Sequence, residues 1–367
     1  MLRNRVIHQN ELLYVGPALQ SGETYSSPIT SNLDKVQSIS YDFNYEKSDV
    51  SILGKSRVID RPITSSPVVN LSLQYYVGSF HNENTMGFKI TPNGMSSAFS
   101  VIENLADEDD RTKDKRNIYL ATTTEGIDLI GAESGDIESV LCFHECQINN
   151  YGVDFSVGQL PTANLSLEGI SASYFSSGTG LSIDTLDRQS ATRSSGVDVN
   201  IPMSGDPKLI SRTEILTPQN ISIDFYNSDG SSLVDSGFAP ITNNKVQTFS
   251  MNFDLNRRAI VLPDHKMTFD KLLVTPVIGS ASVELIEHGS ESGNLTDLID
   301  TNKSYKVIAT ITNNSSTPVM RFSLNEVKVD NIGHSHSIGS NKTSNFSMSF
   351  PIDPLDENKS INFSGAY

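Results

Sequence analysis

The densest group of side chains able to do chemistry is Cys142-Phe143-His144-Glu145-Cys146. On an extended strand successive side chains alternate, so Cys142, His144 and Cys146 would share one face and present three metal ligands. The spacing matches no common structural zinc pattern. These are the only two cysteines in the chain, so no second ligand pair exists, and the run reads as two small buried thiols. His334 and His336, in Gly-His-Ser-His-Ser, would also share a face and suit a pH sensor or a metal; apolar residues stand at the corresponding places of a repeat described below, so they read as packing or interface residues. The acidic run Asp107-Glu108-Asp109-Asp110 lacks the alternate ligands and closing Glu of a calcium loop and reads as a solvated turn. There is no Gly-x-Ser-x-Gly elbow, phosphate-cradling loop or His-Glu-x-x-His helix. No catalytic, cofactor-binding or metal-ligating residue is therefore assigned, no cofactor is expected, and the chain is not expected to be an enzyme.

The elements around these residues repeat. Lys35-Val36-Gln37-Ser38-Ile39-Ser40-Tyr41-Asp42-Phe43 returns as Lys245-Val246-Gln247-Thr248-Phe249-Ser250-Met251-Asn252-Phe253, an offset of 210. Both copies alternate apolar and polar residues, which predicts half-buried strands with Ile39, Tyr41 and Phe43, or Phe249, Met251 and Phe253, on one face. The same offset carries Asp60 to Asp270, Leu71 to Ala281 and Leu73 to Val283, with Pro67 and Pro276 one position out of step. Further on, Glu145, Asn150, Gly152, Ser156, Gly158, Asn164 and Ser166 match Glu326, Asn331, Gly333, Ser337, Gly339, Asn345 and Ser347 at an offset of 181.

The fall from 210 to 181 places a net insertion of about 29 residues in the first copy, between the matched blocks. There Ser97 can cap a short helix carrying Phe99, Val101, Ile102 and Leu105, with a charged stretch after it; a brief equivalent is expected near Leu295 to Asp300. Both copies then resume a strand, at Ile118-Tyr119-Leu120-Ala121-Thr122 and Val307-Ile308-Ala309-Thr310-Ile311. Ser176-Ser177-Gly178-Thr179-Gly180 and the Ser-rich stretch to about Lys208 read as a linker. Ile221-Ser222-Ile223-Asp224-Phe225-Tyr226, followed by Asp229-Gly230, reads as a strand entering a turn. The expected architecture is all-β with minor helix: a first β-sandwich or barrel domain over 1–185, with its insertion at about 95–117, a linker over 186–208, and a second such domain over 209–367, each with one short flanking helix.

Composition agrees with strands and turns. The 367 residues are too many for one ordinary core, and 37% hydrophobic residues suffice for two. A net charge of −16 argues against a protein that grips phosphate backbones, but fits a soluble body or a channel past which a polyanion slides. Two cysteines make no disulfide framework. The residues after Met1 contain too few consecutive apolar positions for a secretion leader, and no run is long enough to cross a bilayer, so neither secretion nor membrane insertion is expected.

Val36-Gln37 to Phe43, Arg61-Pro62-Ile63, Pro67-Val68-Val69-Asn70-Leu71-Ser72-Leu73 and the terminal Asn-x-Ser-x strands together resemble tail tube proteins of tailed bacteriophages, as a texture over nearly the whole chain. The resemblance implies a virion tail location after synthesis in the host cytoplasm, and a β-sandwich or barrel whose inner sheets join into rings that stack as a conduit for DNA ejection. It also implies partners in further copies of itself and in other tail proteins, with DNA passing without specific binding. Ordinary members carry one domain and form hexamers, so a duplicated chain is expected to form a trimer with pseudo-six-fold symmetry. Sheet edges are the expected joining sites, and the segments from about Glu46 to Ser66 and Arg257 to Thr275 are expected to serve ring stacking. The alternatives are a terminator or distal adaptor of the same fold, and a receptor- or glycan-binding module. The absence of Trp, and the placement of most Phe and Tyr within strand patterns, speak against the module.

Overall fold

The computed structural model describes residues 11–18, 31–92, 99–107, 111–123, 137–176, 181–187, 192–199, 221–228, 246–263, 265–286, 303–312, 317–335 and 343–367. They form an all-β chain, as the alternation predicts. The first half contains β1 (Glu11–Pro17), β2 (Ser31–Asn32), β3 (Val36–Asn44), β4 (Val68–Tyr76), β5 (Ile90–Pro92), β6 (Arg116–Thr123), β7 (Ile137–Ser156), β8 (Thr162–Gly169) and β9 (Ser171–Phe175). The second contains β12 (Ile221–Asn227), β13 (Val246–Asp254), β14 (Arg257–Ile260), β15 (Asp270–Leu273), β16 (Val277–Ile286), β17 (Tyr305–Thr312), β18 (Pro318–Ser335), β19 (Thr343–Ile352) and β20 (Ile361–Gly365). Within the stretch read as a linker, β10 (Leu181–Asp187) and β11 (Thr192–Val199) pair as an antiparallel hairpin of their own.

The pairing of strands is the same in both halves. β3, β4, β8 and β7 lie side by side in that order, and so do β13, β16, β19 and β18. Tyr41 faces Leu71 where Met251 faces Ala281, and Leu71 faces Leu167 where Ala281 faces Met348, so the offsets of 210 and 181 are offsets of register as well as of sequence. A second layer in each half is built from β1, β6, β7 and β9, or from β12, β17, β18 and β20.

The long strands β7 and β18 therefore serve both layers of their copy, and they bend where a residue is inserted. Glu145 (φ 48°) and Glu326 (φ 51°) stand at equivalent positions in left-handed backbone, each beside a register shift against β6 or β17. Such a bulge kinks a strand and raises its twist. Further shifts at Ile148/Asn150 and Val329/Asn331 are again 181 apart, and those at Val36/Ser38 and Val246/Thr248 are 210 apart.

One apolar cluster runs through both copies, from Leu13 to Phe363. Its centre is aromatic: Phe80 lies 5.2 Å from Phe322 and 5.1 Å from Phe363, and Phe88 lies 5.0 Å from Tyr151 and 6.2 Å from Phe253. The segment carrying Phe80 and Phe88 also contributes β5, which runs parallel to β20, so the first copy reaches into the second. The helix expected from Ser97 is not a helix over its described part. Val101, Ile102 and Leu105 are buried, but in a turn closed by one 3-10 winding at Asn104–Ala106, because Val101 donates its backbone N–H to Ile361 O and packs onto the other copy. The α-helices of the described residues are instead α1 (His81–Met86) and α2 (Arg111–Asp114), both in the first copy; a flanking helix was expected in the second copy too, but its described residues carry only a 3-10 turn at Glu357–Lys359. Met95, Ser97, the Leu295–Asp300 equivalent and the Asp229-Gly230 turn lie outside the described residues. No described helix is long and apolar enough to cross a membrane.

Candidate assembly surface

Besides the β5·β20 contact, the two copies are joined by one antiparallel strand pair. β13 lies antiparallel to β7, with Ser250 opposite Asp154, Met251 opposite Val153, Asn252 opposite Gly152, Phe253 opposite Tyr151 and Asp254 opposite Asn150. The eight strands β3-β4-β8-β7-β13-β16-β19-β18 thus form one continuous surface. Across the junction Asn150 Nδ2 donates to Asn252 Oδ1 at 2.7 Å and to Asp254 Oδ1 at 2.6 Å.

At the ends of this row stand the counterparts of the joined strands, β3 and the distal part of β18, and among the described residues neither carries a strand on its outer edge there. The faces match this. Met251 and Phe253 are 2% and 1% exposed, while their counterparts Tyr41 and Phe43 are 44% and 51% exposed. The expectation of equal half-burial in both copies is thereby corrected: position in the row, not residue pattern, decides burial, because β13 is flanked by the first copy while no described strand flanks the outer edge of β3. Tyr41 and Phe43 rest with one side on Phe143. Gly152 and Gly333 show the same contrast, since a Cβ at Gly152 would lie 3.5 Å from Met251 O and one at Gly333 would meet nothing within 4 Å.

A hairpin follows β3 and another follows β13, in identical register: Lys47 faces Ile63 and Val50 faces Asp60, as Arg257 faces Leu273 and Ile260 faces Asp270. The second hairpin is bound to the first copy by buried ion pairs. Arg257 reaches Asp114 at 2.7 Å, Lys271 reaches Glu168 at 2.5 Å, and Lys115 reaches Asp270 at 2.6 Å. Arg257 also donates to the carbonyls of Ile148 and Leu105, and Gln147 to Asp114. Burial pushes the Glu168 carboxyl up, but the Lys271 hydrogen bond and charge more than offset it and hold it below its ordinary value. At Asp114 burial wins over Arg257, and the carboxyl is raised. The expectation that the segment Arg257 to Thr275 reaches a neighbouring ring is not what its side chains do here: they lock the hairpin onto their own chain. The first hairpin, by contrast, is exposed, with Tyr45, Ile52, Leu53, Ile59 and Ile63 open to solvent.

The solvent-facing side of the eight-stranded surface is mainly polar, with Ile278 exposed among the polar residues. Ser40, Asn70, Ser72, Asn164, Ser280 and Ser347 alternate with core residues, and Asp42, Asp154, Asp254, Glu284 and Asp330 add carboxylates.

The residues singled out from sequence do not converge. Cys142 and Cys146 are buried free thiols. The bulge at Glu145 breaks the alternation, so that Phe143 and Cys146 join the apolar cluster while Cys142 and His144 do not. His144 Nε2 is 2.7 Å from Ser173 Oγ, and Cys142 Sγ is 4.0 Å from His144 Nδ1. Burial raises the Cys146 thiol pKa, which keeps it protonated and unreactive. His334 lies in the distal part of β18, within 2.9 Å of Ser344 Oγ; His336 lies outside the described residues, as do Glu108, Asp109 and Asp110, while Asp107 pairs with Lys113. Among the described residues no group of three or more His, Cys, Asp or Glu side chains is placed to hold a metal.

Sequence reasoning missed Glu83. This carboxylate is buried, and its Oε1 accepts from the hydroxyls of Tyr75 and Tyr151, each at 2.8 Å, while Oε2 has no partner. Burial raises its pKa, and the two hydroxyls lower it by less. Nothing in His-Asn-Glu-Asn-Thr-Met marks an interior acid.

No protein-family model matches the chain, and no curated protein matches it. Solved structures that resemble part of it include a chain of the anti-feeding prophage baseplate, 12% identical, covering 40% of this chain and 93% of that one, with a TM-score of 0.27. Another belongs to the anti-feeding prophage cap, described as a tube-terminating cap; it is 9% identical, covers 48% of this chain and 95% of that one, and has a TM-score of 0.28. At these scores the likenesses carry no argument.

Proposed function

We propose that the chain is a non-enzymatic structural subunit of a virion tail, in which three chains close into a ring of six β-sandwich copies and stacked rings form a tube for DNA passage. The first copy spans 1–185 and the second 209–367, joined over 186–208. The observation that carries the reading is the β7·β13 junction, with the same two edges standing at the ends of the row and flanked by no other described strand.

Transposing that junction by the two offsets sets β3 of one chain against β18 of the next, with Ser40 opposite Ser335, Tyr41 opposite His334, Asp42 opposite Gly333, Phe43 opposite Ile332 and Asn44 opposite Asn331. The side-chain bridge transposes as well. Asn331 keeps the donor role of Asn150, and its acceptors become Asp42 and Asn44 in place of Asn252 and Asp254. A head-to-tail contact of this kind closes into a ring when its rotation divides the circle. The carboxylate-bearing face then lines the lumen, where its charge keeps a phosphate backbone from sticking.

Negative-stain electron microscopy of the purified chain across a concentration series tests the reading. Annular particles or hollow tubes, with three chains per ring, are expected; monodisperse monomers at every concentration would favour a binding module instead.

A further inference from the structure

We infer that the exposed hairpin of residues 45–66 is an arm that seats on the second copy of the next chain and is recognised there by a charge pattern exchanged between strands; this rests on the ring reading above. The template is the in-chain hairpin β14–β15, which has the same register and whose Lys271 is 5% exposed on Glu168. Its counterpart Arg61 is 65% exposed.

The seat has a counterpart too. In the first copy Glu168 accepts from Lys271 and from Asn149 Nδ2, at 3.0 Å for the latter. In the second copy the positions of Asn149 and Glu168 are held by Asp330 and Ser349, and Ser349 Oγ donates to Asp330 Oδ1 at 2.9 Å. The carboxylate has moved to the adjacent strand but the polar pair remains, and Arg61 has the longer, forked side chain to reach it. Arg61 now holds Asp49 at 2.7 Å, and a guanidinium with five donors can keep that contact while donating to a second carboxylate.

Next to Arg61, Asp60 stands where Asp270 meets Lys115. The position of Lys115 is Ser304 in the second copy, and the cation is supplied instead by Lys328, which occupies the place of Gln147 beneath the docked hairpin. The third in-chain pair has no such exchange: Lys47 and Lys303 replace Arg257 and Asp114, so this corner of the seat holds no ion pair. Apolar contact continues the seat, since Tyr45 and Ile63 are exposed where Leu255 is fully buried and Leu273 packs on the core.

The test is a charge exchange in the full chain, read as ring yield by mass photometry and electron microscopy. Arg61→Glu and Asp330→Arg each lower the assembly constant at least tenfold, and the double variant recovers most of the loss. Circular dichroism and the thermal midpoint of the monomer stay unchanged, because both side chains lie on the surface. Rings that form normally with both single variants, or a double variant no better than either, overturn the arm while leaving the ring intact. An unmodified chain that forms no rings overturns the ring reading and the arm together.

Discussion

Phe43 and Phe253 occupy the same position of the same strand in two copies, and truncating each to alanine should separate folding from assembly. Phe253 is 1% exposed, between Tyr151 and Phe88. Its removal leaves a cavity in a closed core and is expected to cost the monomer about 3–5 kcal/mol. Phe43 is 51% exposed. Of the roughly 1.5–3 kcal/mol that full burial of such a side chain contributes, about half is still to be realised, or about 0.8–1.5 kcal/mol at each junction. Three junctions close a ring of three chains, so Phe43→Ala should weaken ring closure by about 2.5–4.5 kcal/mol, roughly a hundred- to a thousand-fold in the assembly constant. Urea denaturation followed by circular dichroism reads the first quantity, and the concentration of half-assembly by light scattering reads the second. The reasoning is refuted if Phe43→Ala destabilises the monomer as much as Phe253→Ala, or if it leaves the half-assembly concentration where it was.

Other consequences follow from buried charge. Lys271→Ala removes the cation from the Glu168 carboxylate, which keeps its Asn149 hydrogen bond, and is expected to cost about 1–3 kcal/mol; a thermal midpoint unchanged from the native chain would show that the hairpin is not held by this pair. Glu83 has a folded pKa above its ordinary 4.5, so its folded state holds the proton more tightly than the unfolded chain does. The stabilisation is complete below pH 4.5 and is lost as pH rises through the folded pKa. Thermal midpoints between pH 4.5 and 8 should therefore fall more steeply for the native chain than for Glu83→Gln, and parallel profiles would contradict the buried carboxylate.

Much of this architecture was legible because the repeat is register as well as residue type. The offsets of 210 and 181 located β3, β13, β8 and β19; the bulges were not read from the sequence, although their positions prove to be duplicated with the strands that carry them. The first strand, β1, escaped notice although it stands 210 residues before β12, with Leu13 and Val15 answering Ile223 and Phe225. It is apolar on both faces, Leu13-Tyr14-Val15 all being buried, and so lacks the alternation that marked the others. The inserted segment read as a helix because Val101, Ile102 and Leu105 have helical spacing, yet an apolar triplet is satisfied equally by a tight turn against a neighbouring strand. The docked hairpin was beyond reach for a different reason. Its partners, Asp114 and Glu168, lie more than a hundred residues away, and charge in a loop carries no address in the sequence. Exposure of Tyr41 and Phe43 was hidden too, since two strands of like pattern differ only in what stands beside them.

Whether β3 of one chain lies against β18 of the next is tested most directly by a Tyr41→Cys, His334→Cys double variant. These positions correspond to Met251 and Val153, which face each other directly across the in-chain junction, within the reach of a disulfide. The native thiols at Cys142 and Cys146 are buried and do not compete. Mild oxidation should yield a covalently closed species of three chains, dissociating to single chains on reduction, with each single-cysteine variant remaining unlinked. A double variant that stays monomeric under oxidation at every concentration, or that links into open-ended ladders, would contradict the ring.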